Sequence, residues 1–207
     1  VEAICGWAQQ HGLRRHLDGA RLFNAVVASG ISAADWAQHF DTVSVCFSKG
    51  LGAPVGSALV GSAELIAEAR RHRKLFGGGM RQAGIIAAGA LHALQYHRDR
   101  LADDHDNAQL IAESIRSCDG VHLHPDRVDT NIIIFRVDPA LGTAGQFAAA
   151  LKQHGVWMLG LGGNLVRAVT HLGVSHNDAV QAASIISQVV DGLASKNIPL
   201  PPDEPTY

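Results

Sequence analysis

The chain has 207 residues, 47% of them hydrophobic, and a formal net charge of −2. That balance argues against a nucleic-acid or membrane-binding surface, and no apolar run reaches the roughly 20 residues a membrane helix needs. Cys5, Cys46 and Cys118 are odd in number and widely spaced, which points to a reducing cytoplasm rather than a disulfide framework.

In chain order, the opening residues pattern as an amphipathic helix with Ile4, Trp7 and Ala8 on one face. Leu13 to Leu17 reads as a short strand, Gly19 as a turn, and Arg21 to Ser29 as the start of a helix. Thr42 to Phe47 has a buried-strand pattern, with Cys46 expected as a small core residue, and runs straight into Ser48-Lys49-Gly50. Ser57 to Val60 is a predicted strand, and Ser62 is the predicted N-cap of a helix from Ala63 to Arg71. After Gly77-Gly78-Gly79, an Ala-rich helix from Gln82 to about His97 links two domains, with Gly84 and Gly89 allowing close packing. The remainder reads as helix (Asp104–Ser117), strand (Asn131–Val137), helix (Ala144–Gly155), strand (Leu165–Thr170) and helix (Asn177–Ala194). A tail from Pro199 to Tyr207 with four prolines is expected to be loose. The expected domains are 1–98 and 99–207.

Lys49 is the most informative residue. A lysine at the end of an apolar strand is costly to bury, and the same burial makes its amine nucleophilic, as Schiff-base chemistry requires. A nucleotide P-loop places its lysine after the glycines; here Gly50, Gly52 and Gly56 follow Lys49, so that reading fails. Upstream, His16-Leu17-Asp18-Gly19-Ala20-Arg21-Leu22-Phe23-Asn24-Ala25 puts Asp18 at the carboxyl end of a strand, where open α/β sheets bind ligands. A strand-end aspartate on a pyridinium nitrogen is the protein's main electronic lever on pyridoxal phosphate (PLP). Taken alone, Asp18 and Arg21 read first as a helix N-cap aspartate and a surface arginine.

Together, His16 to Ala25 and the strand ending in Ser48-Lys49-Gly50-Leu51-Gly52-Ala53-Pro54-Val55-Gly56 resemble the low-specificity L-threonine aldolase family. Arg73 to Gln82 is similar to that family's glycine-rich segment, and Leu165 to His171 to its substrate-carboxylate strand. The resemblance implies an α/β, type I PLP-dependent transferase-like fold. Residues 1–98 would be the C-terminal part of a large, mostly parallel-sheet domain, and 99–207 a small α+β domain. It implies pyridoxal 5'-phosphate as cofactor, with Lys49 its covalent lysine, Asp18 on the ring nitrogen and Arg21 on the phenolic oxygen. Lys74 and Arg81 match basic positions near the phosphate, one of them supplied across a subunit boundary; a solvated basic run from Arg70 to Lys74 is the competing reading. Arg167 would hold the substrate α-carboxylate, since a charge inside an apolar strand needs a partner.

The implied reaction is cleavage of L-threonine or L-allo-threonine to glycine and acetaldehyde, in a cytoplasmic homo-oligomer built as a dimer-based tetramer. The alternatives are another type I PLP enzyme (a β-eliminating lyase or aminotransferase) or an inactive fragment. The family's phosphate-binding turn and ring-stacking histidine should lie before Val1, so the sequence is expected to be N-terminally truncated. Twelve histidines invite a metal, but no Cys-x-x-Cys or His-Glu-x-x-His pair occurs, and none is expected.

Overall fold

A computed structural model describes residues 1–203. The chain divides into two compact units, one ending at Leu101 and the other starting at Ala102. No helix among the described residues is long and apolar enough to cross a membrane.

The first unit opens with α1 (Glu2–Gln10), β1 (His16–Gly19), α2 (Leu22–Ser29), α3 (Ala33–Ala37) and β2 (Thr42–Cys46). It continues through β3 (Ser57–Gly61), α4 (Ala63–Leu75) and α5 (Gly84–Tyr96). Its sheet has the order β1-β2-β3, with β1 and β2 parallel and β3 antiparallel. Val43 and Val45 alternate inward from β2 and pack with Leu22, Trp36 and Phe40 under α2 and α3. Leu51, Ala53, Ala93 and Leu101 form a second small cluster with Phe23 and Phe47.

Several sequence expectations change here for local reasons. The first strand begins at His16 rather than Leu13, because the Leu13 N–H is used to end α1 on the Ala8 carbonyl (2.9 Å), with Gly12 left-handed at φ 66°. Ile4 and Trp7 are exposed, and Cys5 is the residue α1 buries. Cys46 lies on the sheet face opposite Val43 and Val45 and is only half-buried, so it is not a core residue. The Ser62 hydroxyl caps α4 by accepting the Leu65 N–H, but the helix runs on to Leu75, with His72, Arg73 and Lys74 favourably placed at its negative end. A Cβ on Gly89 would lie 3.1 Å from Pro54 Cδ, whereas one on Gly84 would meet nothing.

The second unit contains α6 (Leu101–Arg116, all but its first residue), β4 (Val121–Leu123), β5 (Ile132–Val137), α7 (Ala144–Gln153), β6 (Leu159–Leu161), β7 (Leu165–Val169) and α8 (His176–Ala194). The sheet is antiparallel, in the order β4-β5-β7-β6. One face, with Ile133, Phe135, Val166 and Ala168, is sealed by Ile111, Ile115, Phe147, Leu151, Ile186 and Val190 from the helices. The proline-rich tail is tethered through Asp203 rather than loose: Gln146 Nε2 donates to the Pro201 carbonyl (3.2 Å) and Thr143 Oγ1 to Asp203 Oδ1 (2.7 Å). Residues 204–207 of that tail lie outside the described residues.

Candidate active site

Parallel pairing of β1 with β2 is set at its start by Arg15 and Asp41. The Arg15 N–H and guanidinium Nε donate to Asp41 Oδ2 (2.7 and 3.3 Å), Arg15 Nη2 donates to Oδ1 (3.2 Å), and the Asp41 N–H returns to the Arg15 carbonyl (2.9 Å). These bonds hold the Asp41 carboxyl below the usual aspartate range, the side-chain contact from Arg15 being the largest cause. From that start, the register brings Asp18 opposite Ser44 and Gly19 opposite Val45. Gly19 is required there, because a Cβ would lie 2.6 Å from the Ser44 carbonyl oxygen.

Asp18 is exposed at the carboxyl end of β1, and its Oδ1 accepts the Ala20 N–H (3.2 Å). That is a turn contact and not a helix cap: the N-cap position of α2 belongs to Arg21, which is half-buried. Lys49 follows β2 at the same, carboxyl end of the two parallel strands. Its loop is closed by Gly52 N–H to the Lys49 carbonyl (2.8 Å) and Ala53 N–H to the Phe47 carbonyl (2.9 Å), with Gly52 left-handed at φ 72°. Gly50 is buried so closely that a Cβ would sit 3.0 Å from Leu101 Cδ2 and 3.1 Å from Asn24 Oδ1. The backbone of the loop is thus pinned while the Lys49 side chain stands exposed. The sequence suggested burial at the strand end; among the described residues Lys49 is exposed instead.

Lys74 and Arg81 are exposed, on the last turn of α4 and in the connection to α5. Among the described residues, no hydrogen bond or ion pair joins either of them to Asp18 or Lys49.

Arg167 lies in the other unit, at the middle of β7, opposite Ile134 on β5 and Leu159 on β6. Val166 and Ala168 beside it face the core, so Arg167 projects from the opposite side of the sheet. Its Nε is buried and has no hydrogen-bond partner among the described residues. A buried donor without an acceptor is costly, and a carboxylate is the natural occupant. Sequence reasoning did not single out Asn131, Thr170 or Asp104, which form a buried polar cluster at the end of that strand. The signal available was a run of polar residues at the margins of apolar strands. No group of three or more His, Cys, Asp or Glu side chains among the described residues is arranged to hold a metal.

The beta-eliminating lyase family model matches residues 1–140. The chain is 39% identical over 191 residues to low-specificity L-threonine aldolase 1 of Arabidopsis thaliana, covering 92% of this chain and 53% of that protein. It is 41% identical over 179 residues to the low specificity L-threonine aldolase of Escherichia coli strain K12, covering 86% of this chain and 51% of that protein. It thus spans about half the length of the curated relatives it matches. Among solved structures, a threonine aldolase of Leishmania major superposes with a TM-score of 0.74 at 20% identity, over 91% of this chain and 55% of that one. The fold is the α/β type I PLP-dependent transferase-like class that the resemblance implied. On these grounds, the chain belongs to the beta-eliminating lyase family.

Proposed function

We propose that the whole protein is a PLP-dependent carbon–carbon lyase that cleaves L-threonine or L-allo-threonine to glycine and acetaldehyde. The observation that carries the reading is the position of Asp18 and the Lys49 loop at the carboxyl ends of two adjacent parallel strands. The relatives named threonine aldolase support the choice of substrate. The residues present suit the cofactor and substrate chemically: an exposed primary amine, a carboxylate, and a buried guanidinium nitrogen in want of an acceptor.

When bound, pyridoxal phosphate supplies an electron sink for the pair left on the substrate Cα as the Cα–Cβ bond breaks. Lys49 provides the amine that anchors it. Asp18 holds a proton at the pyridine nitrogen, and Arg21 donates to the phenolic oxygen. Arg167 takes the substrate carboxylate and so orients the bond to be broken. Lys74 and Arg81 serve the cofactor phosphate, one of them from a neighbouring copy in a dimer-based tetramer. The protein works in the cytoplasm. Residues 1–98 act as the cofactor-bearing part and 99–207 as the smaller domain.

Borohydride reduction of the protein isolated from its source with added PLP, followed by peptide mapping, tests the reading. A pyridoxyl adduct on Lys49 is expected, and an unmodified Lys49 sinks it. A second reading, β-elimination, is favoured by the family's own name. Acetaldehyde released from threonine separates the proposed reaction from one that yields a keto acid and ammonia.

A further inference from the structure

The β5–β7 ladder that carries Arg167 runs from Arg136 opposite Leu165 to Ile132 opposite Val169. Its next rung is not an ordinary one. The Thr170 N–H donates to the Asn131 carbonyl (3.1 Å), and the Asn131 side-chain amide Nδ2 donates to the Thr170 carbonyl (2.8 Å), taking the place of a backbone N–H. The Thr170 hydroxyl then donates to the Asp104 carbonyl in the first turn of α6. Beyond it, Asn107 Nδ2 donates to the Val174 carbonyl (3.1 Å), fixing the turn that leads into α8. Asn131 and Thr170 are only 1% and 2% exposed.

Buried polar groups bonded to one another are unforgiving of displacement, since each lost partner leaves a donor or acceptor stranded away from water. Thr170 faces the helices, as do Val166 and Ala168, while Arg167 faces the other way from the same strand. The anchor therefore grips the strand from behind without touching whatever Arg167 binds. A strand that slips by one residue exchanges its two faces, and a bidentate clamp works only within a narrow range of position and angle.

We infer that Asn131 is a positioning residue for Arg167: its side-chain rung locks the carboxyl end of β7 and thereby aims the guanidinium at a carboxylate. This rests on the reading of Arg167 as the substrate-carboxylate clamp.

The test is calorimetric titration of the intact protein, carrying its cofactor, with glycine and with glycinamide, which share an amine and differ in the carboxylate. Asn131→Ala is expected to weaken glycine roughly tenfold or more while leaving glycinamide within about twofold, since only glycine draws on the clamp's charged hydrogen bonds. Arg167→Met serves as the reference and should abolish the preference for glycine. Equal weakening of both ligands by Asn131→Ala would assign Asn131 a purely structural role and overturn the inference. So would an unchanged preference in Asn131→Ala where Arg167→Met loses it. If Arg167→Met itself keeps the preference, the clamp reading fails, and this inference with it. Asn131→Ser, which keeps a shorter donor, should fall between wild type and alanine, and it carries the same comparison if the alanine variant does not fold.

Discussion

Asp18 and Ser44 are register partners in the parallel β1–β2 ladder, so Asp18 and the Lys49 loop both lie at the carboxyl ends of adjacent strands. Asp18→Asn should keep the turn, because its side-chain oxygen can still accept the Ala20 N–H, while removing the charge. A hydrogen bond to a charged group is worth about 1.5–3 kcal/mol, so cofactor affinity should fall by roughly one to two orders of magnitude. Fluorescence titration with PLP measures it; an unchanged affinity with an unchanged melting midpoint would remove Asp18 from the site.

Gly19→Ala tests the closeness of the two strands. Its Cβ would press on a backbone oxygen, which cannot rotate away. The expected cost is about 1–3 kcal/mol in urea unfolding, the usual range for overpacking. The same change at Gly84, whose Cβ would meet nothing, should not destabilise and should gain helix propensity.

The Arg15–Asp41 contact makes a prediction about acid. Because the folded pKa of Asp41 is depressed, its contribution is present above the unfolded value of about 4 and is lost as pH falls through the lower folded value. Asp41→Asn should flatten the acid limb of the stability curve below about pH 4. Carboxyl NMR titration of Asp41 should show the depression directly, and a normal midpoint would discount the pair.

His105 predicts a second, separate slope. Burial pushes its imidazole below the usual histidine value, and the nearby Asp104 and Asp106 charges only partly oppose this. The unfolded chain therefore takes up a proton first, near pH 6.5. Stability is complete above that pH and declines as pH falls toward the lower folded value. His105→Gln should remove this decline, read as urea midpoints at about pH 7.5 and at mildly acid pH; an identical slope in the variant would rule His105 out as its source.

The parts of the fold legible in the sequence were those with strong periodicity or a named cap. The Val43/Val45 alternation gave β2, and Ser62 gave the start of α4. β6 and α3, at three and five residues, are too short for a period to register, and both escaped. Strand β1 was displaced because Gly12 and Leu13 finish the preceding helix, a decision made by hydrogen bonds to Ala8 rather than by strand propensity. At the proposed site, Asp18 and Lys49 were found by their strand-end positions, and their roles, with that of Arg21, came from the family resemblance. The exposure of Lys49 was not, because a pattern of apolar neighbours says where a strand is buried but not where its trailing loop points. Asn131 and Thr170 bond across 39 residues, and no local signal reports such a pairing.

The two units do not share their ballast equally. Of the largest fully buried side chains described, all but Leu101 lie in the second unit, among them Phe135, Phe147, Ile133, Ile186 and Val190. Local opening is cheapest where few apolar contacts must break. Backbone amides of β5, β7 and α8 should therefore exchange with solvent most slowly, and those around Lys49 far sooner. Within these residues the slowest-exchanging core is thus the sheet that carries Arg167, while the Lys49 loop rests on its own turn hydrogen bonds.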